Sequence, residues 1–450
     1  MTRDPGGQEA PGGGPPLTRR KVMGGALATG ALAAVGAPRA ADAAGPRARP
    51  AHREGAPAPS GKPHVAVVGA GAFGGWTALQ LLRRGARVTL VDAWGPGNSR
   101  ASSGGETRVI RGMYGAAGLY TRWVVRAFEL WRETARRTGL DLYHPTGALW
   151  LFRGDDAYAR SSRPILEAAG LPIERLDPAE ARRRFPQVDL QGVEHVWFEA
   201  EAGYLTARRA CQAVARLVEA EGGELRQGAA FPVPARSGRM ASVRLLGGPG
   251  LAADAFVFAC GPWLGGLFPE VVGERIRATR QEVFFFGPPG VGARFAEGSF
   301  PVWVDFGERI FYGIPGNEHR GFKVADDTHG DAIDPTTLER RPTEAALERA
   351  RAILRERFPL LAGAPLLEAR VCQYENTRDG HLLLDRHPEA ANVWLAGGGS
   401  GHGFKLGPAV GEHVADLVLG REEPRPELSL GRLDRLEGPE KSQLETGEGP

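Results

Sequence analysis

The stretch His64-Val65-Ala66-Val67-Val68-Gly69-Ala70-Gly71-Ala72-Phe73-Gly74 decides the fold. Its first five residues are a short β-branched run, the pattern of a buried parallel strand. The run enters a GxGxxG turn without a break. A helical pattern, Trp76-Thr77-Ala78-Leu79-Gln80-Leu81-Leu82, follows and ends near Arg84-Gly85. A second strand, Arg87-Val88-Thr89-Leu90-Val91, then leads to Asp92. Strand, glycine turn, helix, strand and acid in this order predict a dinucleotide-binding unit. Gly69, Gly71 and Gly74 let the backbone approach a pyrophosphate at the helix N-terminus, and Asp92 can accept a ribose hydroxyl. A glycine turn of purely structural use is the alternative. The motif alone leaves FAD and NAD both open.

Upstream of this unit the composition changes. Residues 1–60 hold 11 Gly and 9 Pro, with eight Lys/Arg against four acids, a net charge of +4. The whole 450-residue chain carries +3, so the remaining 390 residues carry −1. The basic balance therefore sits in the leader and gives no support for a nucleic-acid partner. The leader runs Thr18-Arg19-Arg20-Lys21-Val22-Met23, then an Ala/Gly-rich apolar run to Ala37, then Ala41-Asp42-Ala43. This order predicts a twin-arginine signal over 1–43 with an A-x-A cleavage pattern. The apolar run is about 15 residues, short of the ~20 that span a bilayer. The expectation is export through the twin-arginine machinery to the periplasm or beyond, the route for a protein that takes its cofactor before it leaves. Residues 44–60 read as a linker, and residues 438–450, polar and rich in Gly and Glu, as a disordered tail.

Composition bounds the rest. Hydrophobic residues at 42% and charged residues at 24% fit a globular chain with ample length for a large core. Three Cys exclude a disulfide scaffold and a Cys-rich zinc protein. Scattered His residues have no metal-ligand spacing, and there is no HExxH, CxxC, Walker A or EF-hand pattern. The apolar run Ala255-Phe256-Val257-Phe258-Ala259-Cys260 before Gly261-Pro262-Trp263 reads as another buried strand. Cys260 there and Cys211, on a helical pattern, read as small buried hydrophobes.

Three further blocks choose a family. They are Ser102-Ser103-Gly104-Gly105-Glu106-Thr107-Arg108-Val109-Ile110-Arg111, then Val371-Cys372-Gln373-Tyr374, then Gly397-Gly398-Gly399-Ser400-Gly401-His402-Gly403-Phe404-Lys405. With Gly69–Gly74 they resemble the monomeric sarcosine oxidase and N-methyltryptophan oxidase group, FAD amine oxidases within the D-amino-acid oxidase-like family. The resemblance covers about residues 63–437. It implies an α/β (α+β) fold with a Rossmann-like FAD domain from 61–145, 205–265 and 370–437. A substrate domain on a large mixed β-sheet would use 146–204 and 266–369. It also implies a monomer.

The resemblance assigns roles as well. Cys372 matches the cysteine that bonds covalently to the flavin. Relatives commonly carry a His pair where this chain has Ser103 and Gly104. Arg111 and Lys405 match the residues that hold the substrate carboxylate, and two converging cations suit a carboxylate. Arg108 falls close to the flavin ring. Lys323 matches the lysine that activates oxygen, where a cation stabilises negative charge as it develops on oxygen. The residues alone also allow a solvent-facing strand lysine. Tyr312 stands at the pocket wall, and Asp327 stands where relatives have a His. Gly401, His402 and Gly403 fall against the cofactor, with backbone N–H groups before the next helix offered to the flavin's negative charge. His402 itself can instead pack or bond nearby backbone.

These roles describe an oxidase for a small amine or amino acid, such as an N-methyl or cyclic amino acid. Hydride passes from the carbon beside nitrogen to the flavin, the imine hydrolyses, and O2 becomes H2O2. No residue announces itself as a general base. A flavin dehydrogenase using another acceptor, and an exported flavin-binding protein without turnover, remain alternatives.

Overall fold

The computed structural model describes residues 61–288, 290–436 and Lys441. The predicted signal (1–43), linker (44–60) and tail (438–450, Lys441 apart) lie outside the described residues. The first strand, His64–Val68, is completely buried. It occupies the interior of a six-stranded sheet, between Arg87–Asp92 and Ala255–Phe258 and parallel to both. Glu224–Gln227 and Val393–Gly397 extend the sheet in parallel on either side, and Leu383–Arg386 closes one edge antiparallel. Parallel neighbours require crossovers, and the helices Ala72–Arg83 and Ala207–Ala220 supply two of them. With Gly407–Val418 they cover one face of the sheet. There Trp76, Leu79, Val214, Val410 and Val414 share one apolar core with Val65 and Val67. The opposite face, through Val68, Phe256 and Phe258, packs on a small three-stranded sheet that contributes Ala230, Val243 and Leu251. Both faces being covered explains why these strands are continuously apolar instead of alternating.

The second sheet has eight strands and is mixed. Its order is Leu366–Thr377, Ile276–Phe286, Phe322–Asp326, Ile310–Ile314, Val302–Phe306, Ala148–Phe152, His195–Glu199 and Ile173–Leu176. All neighbours are antiparallel except Val302–Phe306 with Ala148–Phe152. One face carries Phe284, Phe286, Trp303, Phe322 and Val324 and packs on the helix Glu344–Arg357. At the end of that helix Arg357, fully buried, pairs with the buried Asp305. Alternate residues, among them Trp150, Val304 and Ile314, form a core on the other face.

Two of the expected boundaries change. The strand Leu366–Thr377 pairs with Ile276–Phe286 along its whole length, from Ile276 opposite Thr377 to Phe286 opposite Leu366. A ladder of this kind leaves no break at residue 370, so Cys372 and Tyr374 belong to the larger sheet. The cut at 205 falls inside the strand Gly203–Thr206, which pairs with Thr107–Ile110. Among the described residues no helix is long and apolar enough to cross a membrane.

Candidate active site

The first strand ends at Gly69, whose φ is +104°. A Cβ on Gly69 would stand 2.2 Å from the Ala259 carbonyl oxygen, and one on Gly74 would stand 1.8 Å from the Gly69 oxygen. The helix Ala72–Arg83 can lie against the strand end only because both side chains are missing. Its N-terminus opens on a cleft of about 400 Å³, lined among others by Gly71, Asp92, Trp94, Trp263, Gly401 and Gly403. Asp92 accepts the N–H groups of Ala70 at 2.8 Å and Trp94 at 2.9 Å. With the Gly95 N–H as a third donor, its two oxygens still leave lone-pair capacity for a hydroxyl. Ser103 Oγ accepts the Ala72 N–H at 3.1 Å and so anchors its loop to the helix start. Glu375 also lines the cleft, and its buried Oε2 has no hydrogen-bond partner. Burial pushes the Glu375 carboxyl up to about 8. A donor-rich helix end, an acid at the end of the second strand and an orphaned polar atom on one elongated cleft fit FAD.

Arg108 and Tyr374 line this cleft and also two smaller cavities, of about 50 Å³ and about 220 Å³. They stand where the three spaces meet. The 220 Å³ cavity holds Lys323 and Cys372. In the strand Phe322–Asp326, Phe322 and Val324 face the core, so pleating turns Lys323 to the opposite side. Lys323 is 2% exposed, which rules out the solvent-facing alternative. Its Nζ donates to the Thr107 carbonyl at 3.1 Å and lies 5.5 Å from the Tyr312 ring centroid. Burial, reinforced by the Arg108 charge, pushes the Lys323 ammonium down to about 7. Cys372 Sγ accepts Arg108 Nη2 at 3.3 Å. The other two thiols are pushed up by burial, Cys211 to about 12 and Cys260 further. Cys372 is the cysteine placed against the Arg108 guanidinium and the 220 Å³ cavity.

The 50 Å³ pocket is lined by Arg111, Lys405, Tyr312, Asp327 and His402 among others. Arg111 Cζ lies 4.5 Å and Lys405 Nζ 5.1 Å from the Tyr114 ring centroid, so the two side chains converge on one aromatic ring. Arg111 donates to the Tyr158 hydroxyl at 3.1 Å and to the Met113 carbonyl, and it also lies over Trp150. Lys405 Nζ donates to the His402 carbonyl at 3.0 Å, while Trp131 Nε1 fixes the Lys405 carbonyl at 2.9 Å. Burial and the neighbouring Arg111 push the Lys405 ammonium well below the usual lysine range. Across the pocket, Asp327 Oδ1 accepts the Tyr374 hydroxyl at 2.9 Å. Burial pushes the Asp327 carboxyl up to about 6.

The SGHGFK turn differs from the expectation in one respect. The N–H groups of His402 and Gly403 both donate to the Gly399 carbonyl, at 2.9 and 2.8 Å. The turn closes on itself before the helix begins at Gly407, so these two donors do not point at a cofactor. The imidazole is also engaged by protein. Nε2 meets the Gly380 carbonyl at 2.9 Å and Nδ1 the Tyr114 hydroxyl at 3.2 Å. Both contacts hold for the neutral ring, and burial pushes His402 well below the usual range. His402 therefore braces Tyr114, the platform of the two cations.

Sequence reasoning missed that platform. Tyr114, Trp150 and Tyr158 were given no role there, and only the fold brings them to Arg111. It also left Tyr374 and Glu375 without roles. The signal available was their position beside Cys372 on an extended strand, where alternate residues face opposite sides.

A family model described as "FAD dependent oxidoreductase" matches residues 64–417. Monomeric sarcosine oxidase of Bacillus sp. (strain B-0618) is 30% identical over 363 residues, covering 79% of this chain and 92% of that protein. N-methyl-L-tryptophan oxidase of Salmonella arizonae is 29% identical over 374 residues, covering 82% of this chain and 98% of that one. Of the solved structures, L-proline dehydrogenase from P. horikoshii shares the fold, with a TM-score of 0.72 at 23% identity over 83% of this chain and 98% of its own. A glycine-turn cleft that fits FAD, opening onto a small cationic pocket, and these matches agree: the chain belongs to the FAD dependent oxidoreductase family and is a sarcosine oxidase-like enzyme acting on C–N bonds.

Proposed function

We propose that the protein is an exported oxidase for a small secondary amine that carries a carboxylate, such as an N-methyl or cyclic amino acid. It would work as a monomer, use O2 as acceptor, and hold its FAD covalently through Cys372. The observation that carries this reading is the meeting of three cavities at Arg108 and Tyr374. One fits the cofactor, one gathers Arg111 and Lys405, and one holds Lys323 beside Cys372.

FAD, when bound, supplies the acceptor for the hydride that leaves the carbon beside the amine nitrogen. The chain's own residues do the rest. Arg111 and Lys405 bind the carboxylate, and the 50 Å³ pocket limits the size of what lies beside it. Fixing the carboxylate at one end orients the C–N bond toward the junction, which lowers the entropic part of the barrier. Lys323, on the side of Cys372, presents a positive charge where oxygen is reduced. Twin-arginine export would let the folded, loaded enzyme leave the cytoplasm.

The test is peroxide formation in air from a panel of N-methyl and cyclic amino acids, with their decarboxylated analogues as controls. The expected result is peroxide from at least one amino acid and about a hundredfold weaker response from its carboxylate-free analogue, the loss of a doubly held charge-assisted contact. Flavin reduction without peroxide would replace the oxidase by a dehydrogenase. For the covalent bond, acid precipitation should carry the yellow colour into the pellet; colour in the supernatant would refute it.

A further inference from the structure

We propose that Asp327 is the cation-recognising residue of the inner pocket: it receives the substrate as an ammonium and takes one proton from the nitrogen. This rests on the amine-oxidase reading and adds to it the charge state in which the substrate binds. The geometry is that of a two-ended site. Arg111 and Lys405 converge over Tyr114 at one end. Asp327, 4% exposed, lines the same small pocket. Its backbone is fixed by its N–H to the Ile310 carbonyl at 2.8 Å. The Tyr374 hydroxyl holds Oδ1 at 2.9 Å, so the carboxylate keeps a defined direction. Tyr374 also lines the cofactor cleft, so a nitrogen held by Asp327 lies next to the reacting end of the site.

Charge argues the same way. Arg111, Lys405 and Asp327 line one small pocket, so the charge on each bears on the others. A carboxylate that engages Arg111 adds a second negative charge beside Asp327 in a low-dielectric pocket. A cationic nitrogen on the same molecule restores the balance. A zwitterionic amino acid carries both groups at the spacing of two bonds. The groups bearing on Asp327 are Tyr374 and Tyr312 from neighbouring strands, His329 two residues on, and Arg111 and Lys405 across the pocket. The proton step balances simply. One N–H bond breaks, one O–H bond forms on Asp327, and the nitrogen lone pair is freed for the oxidation that follows.

Two isosteric probes test recognition without turnover. 2-Aminoisobutyrate has no hydrogen on its α-carbon, and pivalate replaces its ammonium by a methyl group. Their dissociation constants are measured on the holoenzyme by flavin absorbance at pH 8. The expected result is that wild type prefers 2-aminoisobutyrate by about tenfold or more. Asp327→Asn should abolish or invert that preference while still binding pivalate, which shows an intact cation end. Asp327→Glu should restore part of it. In wild type the affinity for 2-aminoisobutyrate should fall as pH drops through about 6, where Asp327 takes up a proton, and pivalate binding should not fall with it. Equal affinities in wild type, no binding of 2-aminoisobutyrate, or an unchanged preference in Asp327→Asn would overturn the proposal.

The proton step is read from anaerobic flavin reduction by a turned-over amino acid. In Asp327→Asn the limiting rate should climb with pH toward the amine's own pKa, while wild type levels off at lower pH; coincident profiles would overturn the step. If no amine reduces wild-type flavin, the oxidase reading and the proton step fall together, and the probe pair still decides recognition.

Discussion

Lys323 is a cation that its surroundings bring close to neutrality. Burial and Arg108 lower its pKa to about 7, so its charge is present below that pH and lost above it. Reoxidation of the enzyme by O2 should therefore slow as pH rises through about 7, as measured by stopped-flow mixing of the reduced protein with oxygen. Lys323→Met should slow that step by about 10²–10³ at pH 6.5, the usual effect of removing one preorganised charge stabiliser. Flavin reduction by the amine should change only a few-fold. A matching loss in both half-reactions would move Lys323 from oxygen chemistry to general structure. Cys372→Ser should leave the fold intact and release FAD on denaturation, read by flavin fluorescence on a denaturing gel. The resemblance singled out Lys323, Arg111, Lys405 and Cys372, and the fold places them in the two smaller cavities. Asp327 was marked there only as a departure from relatives, and Glu375 and the Tyr114 platform were given no role. Their roles depend on partners such as Tyr374, Gly399 and Arg111, which only cross-strand register and distant packing bring near.

Elements set the precision of these contacts. The helix Ala72–Arg83 meets the first strand at Gly74, where even a methyl would stand 1.8 Å from the Gly69 carbonyl oxygen. Gly74→Ala must push helix from strand, at a cost of about 1–3 kcal/mol or more from overpacking. Denaturant unfolding of the holoenzyme should show that loss, together with lower FAD content. In the larger sheet, the helix Glu344–Arg357 is tied to the strand Val302–Phe306 by the buried Arg357–Asp305 pair. Arg357 also donates to the Asp189 carbonyl at 3.2 Å and the Gln191 carbonyl at 2.6 Å. Arg357→Met removes one of two guanidiniums on the buried Asp305, Arg153 at 2.7 Å keeping the other, and should destabilise by about 1–3 kcal/mol in the same experiment. The first strand, glycine turn and helix could be read from sequence because their periods are local. The continuous strand Leu366–Thr377 could not be bounded, because its extent is defined by its partner Ile276–Phe286, some ninety residues earlier.

At the scale of the molecule, two sheets are arranged so that one supplies the cofactor cleft and the other the walls of the reacting space. Arg108 and Tyr374 join them. The net charge of +3 belongs to the leader, and the chain from residue 61 on carries −1. Removal of the proposed signal would therefore leave a near-neutral folded part. Replacing Arg19 and Arg20 by Lys should leave FAD-bearing protein in the cytoplasm, measured by fractionation and flavin absorbance; unchanged export would remove the twin-arginine assignment. The central claim is that one site takes electrons from an amino acid and gives them to oxygen. It is tested most directly by titrating the purified holoenzyme with sarcosine and with proline without air, then admitting air. The account predicts that one of these amines bleaches the flavin stoichiometrically and that air restores the colour with one peroxide per flavin. A flavin that stays oxidised with both amines, and with the rest of the N-methyl and cyclic amino-acid panel, would contradict it.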